Sequence, residues 1–215
     1  MKRALVLLSG GIDSATCLWW AKDQGWEIYT LSFNYYRRAE KEIEASKKLA
    51  QRAEAKEHMV IDLPFLKEVF DLKVKGKEWD GIPSIYIPSR NLIFYSIALY
   101  FAEIYKFNYI VGGHNFDDRN FFPDAKAEYI ELLNRLISLG LWTYKKRKIK
   151  IIAPLSKLNK IEVIKLGSKL RVPFELTWSC HRDLDCPCNE CDGCKSREEA
   201  FRLAGIEDPL REIFI

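Results

Sequence analysis

Two adjacent glycines, Gly10 and Gly11, stand almost directly after the apolar run Ala4, Leu5, Val6, Leu7 and Leu8, and just before a helically patterned segment that starts at Asp13. A short apolar run that stops at glycine and resumes as a helix is the layout of a buried strand feeding a helix through a tight turn. A strand apolar on both faces needs helices on both sides, so this junction commits the chain to α/β packing. Glycine lets the backbone come close to an anion, and the helix N-terminus adds free N–H groups and the positive end of a dipole. Ser9 and Ser14 add hydroxyls on either side. The turn is therefore predicted to hold phosphate. The alternative is a plain strand-to-helix turn with Asp13 as N-cap. No Lys-Ser or Lys-Thr pair follows the glycines, so the Walker pattern is absent.

The remaining chain repeats the strand–helix rhythm. Strands are predicted over residues 4–8, 27–33, 57–62, 109–111 and 149–152, and helices over 13–23, 38–53, 92–105, 124–139 and 160–170. The expected architecture is a parallel sheet with helices on both faces. Residues 64–88 break the rhythm, with Gly76, Gly81 and Pro83 marking turns, and read as a loop insertion over the ligand edge of the sheet. From Thr177 onward the cysteines take over, so the chain divides into an α/β domain, 1–176, and a small appended element, 177–215. A length of 215 residues suffices for one sizeable core plus such an appendage.

Composition excludes several classes. Hydrophobic residues make up 48% and charged residues 30%, as in a soluble globular protein. The net charge of +4 suits an anionic substrate and does not by itself argue for nucleic acid. The basic run Lys145, Lys146, Arg147, Lys148 and Lys150 reads as a solvated turn. Residues 92–102 are too few to span a bilayer. Only five apolar residues follow Met1-Lys2-Arg3, which is a first strand rather than a signal peptide. A cytoplasmic protein without direct nucleic-acid or membrane partners is expected. His58 is expected at a strand edge.

Five of the six cysteines crowd into residues 180–194. Cys188, Cys191 and Cys194, with Cys180 eight residues upstream, offer four thiolates in a short loop. Zinc takes four tetrahedral ligands, and Cys-x-x-Cys spacing presents two sulfurs to one ion. Four filled positions make such a site structural. Cys186 and His181 compete as ligands, although neighbours such as Cys180 and His181 rarely both bind one ion. Cys17 falls within the first helix and reads as a small core residue.

Ser9-Gly10-Gly11-Ile12-Asp13-Ser14 resembles the loop of the ATP-pyrophosphatase (PP-loop) superfamily, whose members split ATP between the α and β phosphates. Further motifs narrow the resemblance. They are Ile87-Pro88-Ser89-Arg90-Asn91; Gly113-His114-Asn115 with Asp118 and Pro123-Asp124; Pro154-Leu155 with Lys160 and Glu162; and Thr177-Trp178-Ser179-Cys180 with the later cysteines, Arg197 and Phe201. Spread over nearly the whole chain, they resemble the 7-cyano-7-deazaguanine synthase family of queuosine and archaeosine precursor synthesis.

The resemblance implies an adenine nucleotide alpha-hydrolase-like, Rossmann-like fold and an ATP-dependent ligase that forms C–N bonds. Its substrates would be ATP with Mg2+, ammonia and 7-carboxy-7-deazaguanine. An amide forms on the way, and AMP and pyrophosphate leave. It further implies structural zinc on Cys180, Cys188, Cys191 and Cys194, and a homodimer. ATP contacts would come from Leu8, Ser9, Gly10, Gly11, Ile12, Asp13, Ser14, Ala15, Thr16, Cys17 and Leu18, and catalytic roles from Asp13, Arg90, Asp118 and Lys160.

Residue chemistry leaves choices open at several of these positions. Lys160 follows Asn159 in a capping box closed by Glu162, and either reaches phosphate or is solvated. Arg90 grips phosphate or a substrate carboxylate, or makes a surface salt bridge. Asp118 and Asp124 contact a guanine-like edge or a metal, or cap loops.

The chain departs from the family where Tyr35-Tyr36-Arg37-Arg38-Ala39 replaces Tyr-Gly-Gln-Arg-His, and where Phe122-Pro123-Asp124-Ala125-Lys126 replaces Tyr-Pro-Asp-Cys-Arg. These changes bear on the identity of the deazapurine more than on ATP chemistry. The competing readings are a tRNA-modifying enzyme that adenylates and thiolates a base, and a non-catalytic zinc-organised nucleotide-binding module.

Overall fold

The computed structural model describes residues 1–35, 39–73, 76–83, 86–118 and 122–210. Five strands form one fully parallel sheet in the order β3-β2-β1-β4-β5, with β1 Arg3–Leu7, β2 Glu27–Tyr35, β3 His58–Leu63, β4 Tyr109–Val111 and β5 Lys150–Ile152. The helices are α1 Ile12–Asp23, α2 Glu40–Arg52, α3 Val69–Leu72, α4 Arg90–Ile104, α5 Ala127–Gly140, α6 Lys160–Lys169 and α7 Asp192–Ala204.

The strands sort their side chains by period two. Ala4 and Val6 of β1 point into one core, with Ala15 and Leu18 of α1, Leu49 of α2, Val163 and Ile164 of α6 and Phe201 of α7. Leu5 points into the other, with Leu31, Ile110 and Ile151 of neighbouring strands, Tyr95 and Ala98 of α4 and Ile130 and Ile137 of α5. Each fully buried leucine or isoleucine contributes roughly 1.5–3 kcal/mol. The predicted α/β sheet with helices on both faces is thus the observed one.

Strand order turns at β1. The chain builds outward through β2 and β3, then α4 crosses the other face and β4 returns beside β1. Because Val6 pairs with Val111, the loops after β1 and β4 leave the same edge side by side. Crevices at such switch points are where α/β sheets hold ligands.

Segment 64–88 is more ordered than a plain loop insertion. It contains α3 and a 3-10 turn at Lys77–Trp79, and Leu66 and Ile87 near its ends are buried in the second core. Tyr36 and Arg37 lie outside the described residues; Ala39 is the buried N-cap of α2, and Ala125 is buried in the 3-10 turn Pro123–Ala125.

The tail contains a helix that cysteine spacing did not disclose. In α7, Cys194, Arg197, Ala200 and Phe201 fall on one buried face at helical spacing. Phe201 meets Phe174 edge-on at 5.3 Å, inside the main core. Arg197, only 5% exposed, donates from Nε and Nη2 to the two carboxylate oxygens of Asp208 at 2.6 and 2.7 Å. It also donates to Thr177 Oγ1 at 2.7 Å and to the Phe174 carbonyl at 2.9 Å. Removing one partner of a buried, hydrogen-bonded pair strands the other charge. Arg197→Ala is therefore expected to destabilise the fold by about 3–5 kcal/mol. Urea unfolding of the variant measures it; a loss below about 1 kcal/mol would show that the pair does not hold the tail.

Candidate functional site

Gly10 has φ +90°, a backbone angle that suits glycine. A Cβ there would sit 2.3 Å from the Glu42 carbonyl oxygen, so the loop lies directly on the first turn of α2. From the other side, Trp178 N–H donates to the Gly10 carbonyl at 2.9 Å. Ser14 knits the turn from within. Its hydroxyl accepts from Ser9 N–H at 3.1 Å, lies 3.0 Å from Ser9 Oγ and donates to the Gly11 carbonyl at 3.0 Å. Leu8, Ile12, Ala15, Thr16, Cys17 and Leu18 are buried. What these six can offer a nucleotide is backbone.

Asp13 is not the N-cap; Gly11 holds that position. The Asp13 carboxylate instead meets Lys160 Nζ at 2.5 Å and accepts from Asn115 Nδ2 at 3.4 Å. The capping box of Asn159 and Glu162 is present and starts α6 so that Lys160 opens onto the glycine turn. Lys160 N–H donates to Asp117 at 2.9 Å. Asp118 accepts from Asn115 N–H at 3.0 Å, and burial raises its pKa above the usual carboxylate range, with the Asp13 charge adding to the effect. Asp13, Asp118 and Lys160 are thus brought together, from three elements. Asp13 and Lys160 border a cleft of about 190 Å³ lined also by Ser9, Gly11, Glu42, Trp178 and Ser196, among others; Asp118 is not in its lining. Its walls are the starts of α1, α6 and α7, so three helix dipoles and one lysine favour an anion there.

Arg90 lies elsewhere. It opens α4 on the far side of the β4 loop, half-buried, near His114. Sequence reasoning passed over Tyr95 and used His114 only as part of a motif. The Tyr95 ring stands 5.8 Å from that of His114, and its buried hydroxyl has no hydrogen-bond partner among the described residues. Burial pushes the His114 pKa down to about 4, with the Asp124 charge acting upward and Arg90 downward, so the ring is neutral near pH 7. His58, at the start of β3, pairs with Thr30 Oγ1 at 2.8 Å and is likewise held at about 4, by burial and then by Lys47.

In the tail, Cys180, Cys188, Cys191 and Cys194 bring their sulfurs within 4.8 Å of one another, with Cys188–Cys194 at 3.9 Å and Cys180–Cys191 at 4.0 Å. Four sulfurs around one zinc at ~2.3 Å would be about 3.8 Å apart, so the set fits a tetrahedral thiophilic ion. Backbone N–H groups of His181, Arg182, Cys188 and Cys191 point at these sulfurs at 3.4–3.5 Å, as suits thiolate charge. Such bonds, from Glu190 first and then Cys191, draw the Cys188 thiol down to about 6. Asn189, at φ +58°, makes the turn between Cys188 and Cys191. Cys186 is exposed, and neither it nor His181 belongs to the group.

A glycine turn on a switch-point crevice, faced by a lysine from a later helix, defines an α/β nucleotide-binding enzyme of the adenine nucleotide alpha-hydrolase type. Solved structures agree at the level of fold. A 4-thiouridine synthetase in complex with RNA and ATP superposes with a TM-score of 0.58 at 16% identity, over 95% of this chain and 50% of that one. NMN synthetase from Francisella tularensis gives 0.50 at 17% identity, over 96% and 78%. The family model for queuosine biosynthesis protein QueC matches residues 3–205, and the chain belongs to that family. The 7-cyano-7-deazaguanine synthases of Oceanobacillus iheyensis and Thermoplasma volcanium are 39% and 38% identical to it. Each alignment covers 98% of this chain, and 98% and 90% of the two relatives. Among the described residues, no helix is long and apolar enough to cross a membrane.

The two neutral histidines set an acid limit. Each has a folded pKa of about 4 against about 6.5 unfolded, so the unfolded chain takes up protons first as pH falls. Stability is expected to be flat above about pH 6.5 and to drop between there and pH 4, by about 3 kcal/mol for His114 alone. Asp118, raised in the fold, offsets part of this. Urea midpoints across this range test it, and His114→Gln should flatten the slope; an unchanged slope would refute the assignment.

Proposed function

We propose that this chain is a 7-cyano-7-deazaguanine synthase acting on ATP, ammonia and 7-carboxy-7-deazaguanine. Family membership over residues 3–205 supports the activity. The observation that carries its chemistry is the cleft in which Asp13 and Lys160 meet beside the glycine turn. A carboxylate oxygen attacks the α-phosphate of ATP, giving an acyl adenylate and pyrophosphate. Ammonia displaces AMP and leaves the amide. The amide oxygen is adenylated by a second ATP, again releasing pyrophosphate, and loss of AMP with two N–H protons gives the nitrile.

In this reading Lys160 stabilises charge on the phosphates, and the N–H groups at the start of α1 hold the pyrophosphate end. Asp13 and Asp118 bind the Mg2+ that accompanies ATP, and Arg90 takes the substrate carboxylate.

We assign zinc to the four cysteines. The ion would supply a closed clamp rather than chemistry, since all four positions are protein sulfur. The division at residues 176 and 177 stands in this reading as a functional one, because the tail's apolar residues share the main core. A cytoplasmic homodimer completes the proposal. Support for self-association comes from Leu132, Leu136 and Leu139, an exposed stripe on α5, with Trp142 beyond it 98% exposed. Cys17, the cysteine nearest the glycine turn in sequence, is sealed in the core against the Gly112 carbonyl and does not offer the thiolating alternative a nucleophile.

Purified protein is expected to carry one zinc per chain by elemental analysis. Cys180→Ser, Cys188→Ser, Cys191→Ser and Cys194→Ser should each lose it, and Cys186→Ser should retain it. Loss from Cys186→Ser would displace one of the four ligands named.

With ammonium and the acid, the enzyme is expected to release two AMP and two pyrophosphate per nitrile, and the amide should also be a substrate. Lys160→Ala should lower kcat about 100-fold or more. Mass spectrometry and nucleotide chromatography read the products. ADP, or turnover confined to tRNA, would overturn the assignment.

A further inference from the structure

The nucleotide cleft occupies one side of the β4 loop. The other side carries a second set of polar side chains. Tyr95 is 2% exposed, and its hydroxyl lacks a hydrogen-bond partner among the described residues. It abuts the loop so closely that a Cβ at Gly112 would fall 2.0 Å from Tyr95 Oη and 3.5 Å from His114 Cδ2. His114 as a residue is partly buried. Arg90 stands in the first turn of the same helix as Tyr95, and the 3-10 turn carrying Asp124 packs on that helix. His114 therefore lies within the fields of two carboxylates, Asp124 and Asp13, and one guanidinium, Arg90, and is desolvated enough to be neutral. An unpaired buried hydroxyl is unfavourable, so the fold keeps Tyr95 at a cost in stability.

Gly113 ties this set to the nucleotide side. A Cβ on it would lie 3.3 Å from Ser14 N, so the β4 loop rests on the first turn of α1. A ligand on the Arg90 side would therefore have only this glycine backbone between it and the phosphate turn. The acid of the proposed reaction is a flat heterocycle with opposite ends: an edge of N–H donors, N1 and the 2-amino group, and a carboxylate on the five-membered ring. A carboxylate and a guanidinium close enough to act on one neutral ring complement that pattern.

We propose, building on the synthase reading, that Asp124, His114 and Arg90 form the heterocycle subsite. Asp124 accepts from N1–H and the 2-amino group. Arg90 holds the carboxylate toward the α-phosphate. His114 lines the ring between them. Tyr95 is a positioning residue that sets the His114 ring and the Gly112 backbone from behind.

The test measures binding and steady-state kinetics with the full-length protein on three ligands: the acid, its 2-deamino analogue, and 7-deazaguanine, which lacks the carboxylate. Wild type should bind the acid roughly 10- to 100-fold more tightly than either analogue. Asp124→Asn should erase the preference for the 2-amino group and keep that for the carboxylate. Arg90→Ala should do the reverse. Tyr95→Phe, which removes one oxygen, should raise KM for the acid about tenfold with KM for ATP within twofold of wild type. Unchanged 2-amino and carboxylate preferences in Asp124→Asn and Arg90→Ala would overturn the subsite while leaving the synthase reading intact. A parallel loss of ATP affinity in Tyr95→Phe would make that residue structural and overturn its assignment. Absence of any binding or turnover of the acid by wild type would instead overturn the synthase reading, and the subsite with it.

Discussion

At Gly10 three parts of the molecule meet within the space of one missing methyl group. The backbone of α2 presses on it from one side, and Trp178, two residues before the first clustered cysteine, donates a hydrogen bond to its carbonyl from another. Ser14 braces the turn from the α1 side. A loop with so many neighbours has little freedom left, and that is the condition for holding phosphate without paying ordering entropy on binding. The cysteine cluster acquires meaning from this contact. Cys180 is held next to the phosphate turn by a single residue of spacing from Trp178, and the helix that starts at the cluster supplies a wall of the cleft. A metal clamp here fixes the nucleotide site as much as it fixes the tail.

The charges along the crevice are arranged for ligand, not for stability. Asp13 and Lys160 are both about three-quarters buried, and a pair so placed returns little net free energy after desolvation. Asp118 sits behind it with a raised pKa, feeling Asp13. In the proposed function, this lysine, its neighbouring carboxylates and three helix N-termini would receive phosphates and a divalent ion together. By contrast, Arg197 and Asp208 satisfy each other and the surrounding carbonyls fully. The same residue types serve structure in one place and function in the other, and the difference is how completely their hydrogen bonds are met.

Much of this was legible in the sequence because it is local. The β1–glycine–α1 junction, the capping box at Asn159 and the Cys188–Cys191 knuckle are each encoded within a few residues, and each formed where expected. What escaped was either long-range or disguised. Asp13 and Lys160 were each expected at the phosphate site, but their direct pairing across 147 residues was not legible along the chain. Helix α7 was hidden because cysteine and arginine occupy two of its buried positions, so its period did not show as a hydrophobic one. Cys180 was named as the fourth sulfur with Cys186 as its competitor, and the sulfurs that gather are those of Cys180, Cys188, Cys191 and Cys194. The partnership of Tyr95 with His114 joins a helix to a strand end, and no pattern along the chain announces it.

The crevice at the β1–β4 switch point is divided by its own backbone. Gly112 and Gly113 lack side chains, so the β4 loop is thin enough for Tyr95 to press on one face and for the first turn of α1 to lie against the next residue. The cleft half is built from the starts of α1, α6 and α7. The other half belongs to α4, the Asp124 turn and the end of β4. It can change without disturbing the phosphate turn, because the two halves touch mainly through glycine backbone. The departures at Ala39 and Ala125 fit this division. Both side chains are buried, so a small apolar residue there leaves the loop and its lysine unaffected. Any effect on the choice of base must then act through the packing of α2 and of the Asp124 turn. In the proposed function, activation chemistry and base recognition would then lie on the two sides of the β4 loop, joined by a strip of backbone two glycines wide.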